Sequence, residues 1–296
     1  MSKLSEMLKS KEFVVTGEIG PPKGVNIEEP LEDAKRLLKD TVVAVNVTDN
    51  QSAVMRIGSM AVCHLLKQNG IEPVFQMVTR DRNQIALQSD LLSAWVLGIE
   101  NVLCLTGDHN SLGDHQESKA VYDLDSVQLL KAVKGLNEGY DMAGNELEGS
   151  PQFFQGAVVT PEYDPVELQI IKMKKKIDAG AQFFQTQAVY DVKTFENFMN
   201  KVEKFNVPIL AGIVVLKSAG MAKYMNQYVA GVFVPDDMIK EMANTEKNDR
   251  KKKAIEIAAR IIRELKPTCQ GVHIMPLGWD DTVPEIIKQA DLAFGP

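Results

Sequence analysis

Eight short runs rich in Val, Ile and Phe recur along this chain, and their spacing is the feature that most limits its fold. The runs begin at residues 13, 42, 72, 101, 153, 181, 208 and 271. Five of the seven start-to-start intervals are 27 to 30 residues, the length that one strand, one helix and two short loops occupy. Strict alternation of strand and helix over eight repeats predicts an α/β fold, a (β/α)₈ TIM barrel, with residues 1–296 forming a single domain.

The segments between the runs predict the helices. Two apolar stripes have the three-and-four spacing of an amphipathic helix. The two long intervals hold additional segments, a Gly-rich excursion over residues 138–152 and an extra helix over residues 234–247, between strands seven and eight. The stripes are Val54, Ile57, Ala61 and Leu65, and Ile255, Ala258, Ile262 and Leu265.

Capping residues agree with this division of the chain. Asp164 and Pro165 suit the N-cap and first position of a helix, while Gly70 and Gly180 suit helix ends. A doubly wound parallel sheet is the alternative fold. It is disfavoured because GEIGPPKG, which follows the first strand, lacks the Gly-x-Gly-x-x-Gly spacing of a dinucleotide-binding turn.

Composition excludes several classes of partner. The chain carries 40 Asp and Glu against 33 Lys and Arg, for a net charge of −7. Nucleic acids and anionic membranes favour clustered cations, so they are not expected as the main partner. No apolar stretch approaches the about 18 residues of a membrane span, and the polar start has no signal-peptide core, so we expect a cytoplasmic protein. Cys63, Cys104 and Cys269 are odd in number and widely spaced, which favours reduced thiols over disulfides or metal ligands.

Polar side chains collect where the predicted strands end, which is where a (β/α)₈ barrel builds its active site. The set is rich in amides and hydroxyls and has few carboxylates. It therefore fits a flat polar heterocycle better than a metal ion. Its members are Glu18, Asn46, Thr48, Asn50, Gln76, Thr79, Arg80, Asp81, Thr106, Asp108, Thr160, Glu162, Gln185, Gln187, Lys217, His273 and Trp279.

Two carboxylates in this set invite a chemical interpretation. Glu18 is a lone carboxylate on an apolar strand, and burial there would let it hold a proton as a general acid. The alternative is that Glu18 pairs with a cation such as Lys23 or Arg80. Asp108 follows Gly107, which allows a ligand to approach the backbone closely, although a Gly-Asp pair after a strand is also an ordinary turn.

Two other chemistries are considered. Lys217, at the end of strand seven, could form the Schiff base of an aldolase, and the alternative is a solvated lysine at a helix start. His109, Asp114 and His115 could be read as metal ligands. No His-x-His ends strand one and no other histidine lies near in sequence, so solvated loop histidines are favoured and no metal is expected.

The strand-end motifs together resemble the methylenetetrahydrofolate reductase family, whose members are flavin-containing (β/α)₈ barrels. The matching pieces occur in the family's order from about residue 11 to residue 290, which is far more specific than any single motif. They are GEIGPPKG around Glu18, VNVTDN around Thr48, QMVTRDRN, LTGDH, VVTPEYDP, and KKKIDAGAQFFQTQAVYD around Gln187.

The resemblance implies a role for each matching residue. Glu18 is implied as the general acid that helps open methylene-folate to its reactive iminium form. Asp108 resembles the aspartate beside the flavin and the pterin, where its charge favours a cationic substrate and tunes the flavin. Gln187 and Tyr190 are implied to bind the folate. The implied flavin contacts are Thr48, Gln76, Thr106, Gly107, Asp108, Thr160 and Lys176.

The activity that the resemblance implies is reduction of 5,10-methylenetetrahydrofolate to 5-methyltetrahydrofolate by hydride transfer from N5 of a reduced flavin. Thr106 stands where the bacterial long form has a basic residue, and Gln76 where it has a histidine, so both FAD and FMN stay open as the cofactor. The loop aromatic of the family is replaced near Ala219. Electrons are therefore expected from NAD(P)H or from an electron-transferring partner protein, and the chain is expected to work as an oligomer or complex. A flavin- or folate-binding subunit active only in a complex is an alternative.

Overall fold

The computed structural model describes residues 1–292 and contains a closed barrel of eight parallel strands. Each strand pairs with the next, and the first also pairs with the last, where Val14 lies opposite Gly271. The predicted strands and the (β/α)₈ barrel are confirmed, and the doubly wound sheet is excluded. The strands are β1 Val14–Ile19, β2 Ala44–Val47, β3 Pro73–Val78, β4 Asn101–Leu105, β5 Phe154–Val159, β6 Phe183–Ala188, β7 Ile209–Val214 and β8 Gly271–Met275.

Helices surround the barrel, and one more closes its lower end. The extra helix predicted between strands seven and eight is present as α9. No helix within residues 1–292 is both long and apolar enough to cross a bilayer. The helices are α1 Lys3–Lys9, α2 Glu28–Asp33, α3 Ser59–Gln68, α4 Gln84–Val96, α5 Ser126–Asn137, α6 Val166–Asp178, α7 Val192–Val202, α8 Ala219–Tyr228, α9 Asp236–Ala243, α10 Arg250–Leu265 and α11 Thr282–Gln289.

The first predicted apolar stripe is wrong. Helix α3 begins at Ser59, and the residues that it buries include Val62 and Leu66. Val54 and Ile57 precede the helix, and Val54 has an extended backbone with φ −101° and ψ 125°. The chain between β2 and α3 is therefore a loop at the barrel mouth, and the helical spacing in this stretch is coincidental.

The second apolar stripe and the helix ends are confirmed, and only the start of α6 differs from the prediction, by one residue. The second stripe lies on α10, where Ile262 is fully buried. Gly70 and Gly180 follow α3 and α6 with φ of +73° and +112°, as expected for helix ends. Pro165 has the extended backbone of an N-cap residue, φ −80° and ψ 134°, so α6 begins one residue later than Asp164 and Pro165 predict.

The barrel interior has an apolar lower layer and a polar upper layer. Alternate strand residues face inward, so Val14 contributes to the lower layer and Glu18, four residues on, to the upper one. Leu4 and Leu8 of α1 pack against the lower layer from below. This layer includes Ala44, Val74, Leu103, Phe154, Phe183 and Leu210. The polar layer comprises Thr16, Glu18, Asn46, Gln76, Gln185 and His273, all of them buried.

Candidate active site

Glu18 lies at the top of the barrel interior with 7% of its surface exposed. The Gln76 side chain donates from Nε2 to Glu18 Oε2 at 3.2 Å, and His273 Nε2 lies 3.4 Å from the same oxygen. The predicted contact residue Gln76 is therefore directly beside the predicted acid. Because both of these bonds meet at Oε2, Oε1 is the oxygen available to a ligand.

The alternative pairing for Glu18 is wrong. Lys23 forms an ion pair with Asp114 on the loop after β4. Arg80 pairs with its neighbour Asp81, with Nη2 2.7 Å from Oδ2. Within residues 1–292, Glu18 has no ion pair with a lysine or arginine, so it is free to act on a ligand rather than to neutralise a cation.

A buried hydrogen-bond network supports His273 and Glu18 from below. His273 Nδ1 lies 2.9 Å from Thr16 Oγ1. Asn46 and Gln185 exchange two bonds between their amides, of 2.7 and 3.1 Å, and Gln185 Nε2 reaches Thr16 Oγ1 at 3.5 Å. Buried polar groups that satisfy one another hold a single geometry. The network therefore orients the imidazole, and through it the carboxylate.

The sequence places His273 at a strand end but does not pair it with Glu18. The two residues are 255 positions apart in the chain. The usable signal is barrel closure, because β1 must pair with β8, and Thr16 lies opposite His273 in that pairing. Inward-facing residues on neighbouring strands of a barrel lie close together. A closed barrel together with the register of β1 against β8 would therefore predict the contact between His273 and Glu18.

Thr48 follows β2 directly and is 2% exposed. Its hydroxyl oxygen is buried without a hydrogen-bond partner in the described part of the chain. A buried polar group left unsatisfied destabilises a protein by about 1 to 3 kcal/mol, so such groups are rare unless something else binds them. Thr48 therefore fits a site for a ligand with a polar edge, as the flavin contact predicted for it requires.

Asp108 stands at the mouth on the loop that follows β4. Its side chain is exposed, and its backbone oxygen accepts hydrogen bonds from Arg80 Nη1 at 3.0 Å and from the Tyr122 hydroxyl at 3.1 Å. Gly107 before it has φ +88°, and a Cβ there would lie 3.1 Å from Val78 Cβ. Glycine is needed for this close approach, which fixes where Asp108 projects.

The two predicted threonine contacts directly follow neighbouring strands, Thr106 after β4 and Thr160 after β5. Thr106 is exposed and its hydroxyl accepts from Ser126 N, at the start of α5, at 3.3 Å. Thr160 is half-buried beneath the segment that follows α8. A Cβ on Gly231 of that segment would lie 2.1 Å from Thr160 Cγ2, so only glycine can cross the threonine there.

Glu162 fastens the same segment to the barrel. Its Oε2 accepts from Phe233 N at 2.8 Å and its Oε1 from Asp191 N at 3.3 Å, so one carboxylate joins the loops after β5, β6 and α8. Burial raises the pKa of Glu162 to about 7, against the opposing effect of these backbone donors. Glu162 was noted at a strand end, but its bridging role depends on a loop path that the sequence does not reveal.

Three predicted ligand contacts differ in whether their side-chain polar groups are exposed or already bonded to the backbone. Gln187 is the next-to-last residue of β6 and its side chain is exposed. Tyr190 is buried and its hydroxyl donates to Val214 O at 2.9 Å, and burial raises its pKa. Lys176 donates to Val158 O at 2.6 Å, and burial together with Lys172 lowers its pKa to about 8. Gln187 is thus open to a ligand, while the polar groups of Tyr190 and Lys176 already bond backbone oxygens.

The residues considered for other chemistries are engaged locally. Lys217 donates to Leu277 O and lies 5.0 Å from the Trp279 ring centroid, and burial lowers its pKa. His115 Nδ1 lies 2.8 Å from Asp114 Oδ1. Cys63, Cys104 and Cys269 are buried free thiols.

The mouth therefore combines the buried carboxylate of Glu18 and the exposed carboxylate of Asp108 with several neutral donors and acceptors. Glu18 can exchange a proton with a ligand through Oε1. The Thr48 hydroxyl, which has no hydrogen-bond partner within residues 1–292, and the exposed amide of Gln187 can bond the edge of a planar heterocycle. The residues present thus fit a flavin or a pterin, both of which carry alternating donors and acceptors.

Comparison with known proteins gives one family. A family model described as "Methylenetetrahydrofolate reductase" matches residues 3–291. A Caenorhabditis elegans protein named "Probable methylenetetrahydrofolate reductase (NADPH)" is 23% identical over 98% of this chain and 44% of its own length. A Buchnera aphidicola protein named "5,10-methylenetetrahydrofolate reductase" is 24% identical over 89% of this chain and 87% of its own. The chain thus spans less than half of the nematode relative.

A solved structure supports the fold. It is described as "Uncharacterized protein from Clostridium thermocellum binds two copies of 5-methyl-5,6,7,8-tetrahydrofolic acid". The two chains superpose with a TM-score of 0.68 at 17% identity, and the match covers 97% of each. At this identity the likeness concerns the path of the chain and not the ligand.

Proposed function

Because the chain belongs to the methylenetetrahydrofolate reductase family, we propose that it reduces 5,10-methylenetetrahydrofolate to 5-methyltetrahydrofolate with a bound flavin. The net change adds one hydride to the methylene carbon and one proton to the nitrogen that leaves it. A protein that supports this reaction must bind a pterin, bind a flavin beside it, and deliver the proton.

The observation that carries the proposal is the position of Glu18. It is a buried carboxylate at the barrel mouth, held by Gln76 and by His273 on one oxygen. In the proposed reaction Glu18 gives its proton to the folate nitrogen N10 as the bond from N10 to the methylene carbon breaks. The Asp108 carboxylate, fixed at the mouth by its own backbone, stabilises the cationic iminium that results.

The flavin is proposed to lie against the ends of β2, β3 and β4. Thr48 offers a hydroxyl that has no protein partner within residues 1–292, and Gln76 and Gly107 line the same side of the mouth. When bound and reduced, the flavin supplies the hydride. Thr106, Thr160 and Lys176 are proposed to contact the rest of the cofactor, FAD or FMN. The protein's own part is to orient the two rings and to exclude water.

Electrons are proposed to come from NAD(P)H or from an electron-transferring partner, with the chain acting as an oligomer or complex. The family match, which covers nearly the whole chain and names a reductase, disfavours the Schiff-base aldolase. Lys217, its proposed nucleophile, donates to a backbone oxygen and lies over an aromatic ring.

The deciding experiment uses the full chain as purified. Its visible spectrum is recorded, flavin is added if none is bound, and the flavin is reduced chemically without oxygen. We expect methylenetetrahydrofolate to reoxidise the flavin and to yield one 5-methyltetrahydrofolate per flavin. A colourless protein that gains neither FAD nor FMN on incubation contradicts the proposal.

A second assay addresses the electron donor. Flavin reduction by NADH and by NADPH is followed in the purified chain alone. Folate reduction with chemically reduced flavin but none with either nucleotide indicates a chain that needs a partner. That outcome supports the proposed half-reaction and assigns its electrons to another protein.

A further inference from the structure

Arg80 is a buried arginine, and all three nitrogens of its guanidinium donate hydrogen bonds at the barrel mouth. It is 2% exposed, and its Nε and Nη2 bind the two oxygens of Asp81 at 2.8 and 2.7 Å. The same group donates from Nη1 to Asp108 O at 3.0 Å and from Nη2 to Asn50 O at 3.2 Å. One planar side chain therefore ties together the loops after β2, β3 and β4.

The bonds of Arg80 reach the backbone beside predicted ligand contacts. Asn50, two residues after Thr48, has φ +43°, a left-handed conformation that Asn adopts more readily than most non-glycine residues. Its side chain also donates to Asp81 Oδ2 at 3.1 Å, so Asp81 is shared by Arg80 and Asn50. The loop after β2 is thus held at Asn50 by two hydrogen bonds from this cluster.

The loop after β4 is held at the same point. Asp108 O accepts from both Arg80 and the Tyr122 hydroxyl. Gly107 packs against the base of Arg80, since a Cβ on it would lie 3.4 Å from Arg80 Cβ. The Asp108 carboxylate itself is exposed, so its position depends on a backbone that is fixed from behind.

We propose that Arg80 is a positioning residue, which sets the Asp108 carboxylate and the Thr48 loop relative to each other so that flavin and folate meet in register. The expected effect on folate reduction rests on the proposed function. The expected effect on the loop after β4 rests on the geometry alone. Lysine cannot replace arginine here, because an ammonium keeps the charge but its single nitrogen cannot reach four acceptor oxygens on three residues.

Arg82 provides the matched control. It lies on the same loop and is also an ion-paired arginine, bound to Asp49 at 2.7 Å and to Asp90 at 2.9 Å. It has no hydrogen bond to Asp108 within residues 1–292. An effect of Arg80→Lys that Arg82→Lys does not share therefore belongs to the Arg80 contacts and not to the loss of any ion-paired guanidinium on this loop.

The first test is hydrogen exchange in the purified chain and needs no ligand. Arg80→Lys is expected to speed exchange about tenfold in a peptide spanning residues 106–113, the loss of about one charged hydrogen bond. Arg82→Lys should leave that peptide unchanged, and a peptide from α10 should be unchanged in both. Equal exchange in wild type and Arg80→Lys, or faster exchange everywhere, overturns the proposal.

The second test is a double-mutant cycle with Asp108→Asn, read as kcat/KM for folate reduction. With Asp108 present, Arg80→Lys should lower kcat/KM about 10- to 100-fold, the effect of misplacing a reacting group by about 1 Å. In the Asp108→Asn background it should have little further effect. The same loss in both backgrounds overturns the positioning role. If wild type reduces no folate, the proposed function fails, and the exchange result still decides for or against Arg80.

Discussion

Replacing Thr48 with valine removes one hydroxyl and keeps nearly the same shape. In the flavin-free protein that hydroxyl is buried and unpartnered as far as the described residues go. Removing an unsatisfied buried polar group relieves a desolvation penalty of about 1 to 3 kcal/mol. Thr48→Val is therefore expected to stabilise the flavin-free protein, the opposite of what most buried substitutions do.

The size of the effect follows from the length of the chain. At about 2.1 cal/mol/K per residue, unfolding 296 residues carries an entropy of roughly 0.6 kcal/mol/K. The relief at Thr48 then raises Tm by about 2 to 5 °C. If the hydroxyl binds flavin, its loss weakens flavin binding about 2- to 10-fold, the value of one neutral hydrogen bond.

Calorimetry of the flavin-stripped protein and a fluorescence titration with flavin measure the two effects. Thr186→Val is the matched control, because Thr186 is also buried but donates to Gln187 O at 2.6 Å and accepts from Gly212 N at 2.9 Å. That variant should lower Tm. A lower Tm for Thr48→Val as well shows that its hydroxyl has a structural role, and unchanged flavin affinity removes Thr48 from the cofactor site.

Three further substitutions test single groups. Glu18→Gln keeps an acceptor for Gln76 but has no acidic proton. Single-turnover folate reduction should therefore fall about 10²- to 10⁴-fold, while reduction of the flavin is retained. Equal loss of both half-reactions contradicts the acid role. Burial raises the pKa of Glu162 from 4.5 to about 7, so its contribution to stability is fully present below 4.5 and is lost as pH rises through 7. Urea unfolding from pH 5 to 8 should then show a steeper fall for wild type than for Glu162→Gln, and identical slopes count against this assignment. Burial lowers the pKa of Lys176 to about 8, so flavin affinity should decline above pH 8 in wild type. It should not decline in Lys176→Arg, because arginine keeps its charge at that pH. Parallel declines in both proteins place the titrating group elsewhere.

The barrel and its mouth were predictable because both depend on order along the chain. Strand spacing predicted the eight strands, and the mouth is built wherever those strands end. Glu18 could be identified as a candidate acid by the same reasoning, since a carboxylate on an otherwise apolar strand is uncommon. Periodicity failed at Val54, because the loop after β2 happens to carry helical spacing while the backbone at Val54 is extended.

The partners of each site residue were not predictable, because they depend on distance in space. Arg80 was proposed as a partner for Glu18, yet it turns away and binds Asp81, its own neighbour. The choice depends on which way a loop leaves its strand, and a one-residue change there moves a side chain to the opposite face. His273 was likewise visible as a polar residue in β8, but only strand register places it against Thr16 and Glu18.

The polar upper layer makes physical sense only if Glu18 must be held in one orientation. Buried polar groups that satisfy each other add little net stability, and apolar residues of similar volume would serve the barrel as well. Asn46 and Gln185 use their amides on each other, and Thr16 binds His273 Nδ1. The imidazole is then left with Nε2 facing Glu18. The network therefore ends at the Glu18 carboxylate, at the barrel mouth. Below it, the apolar lower layer, covered by α1, supplies the apolar burial of the barrel interior.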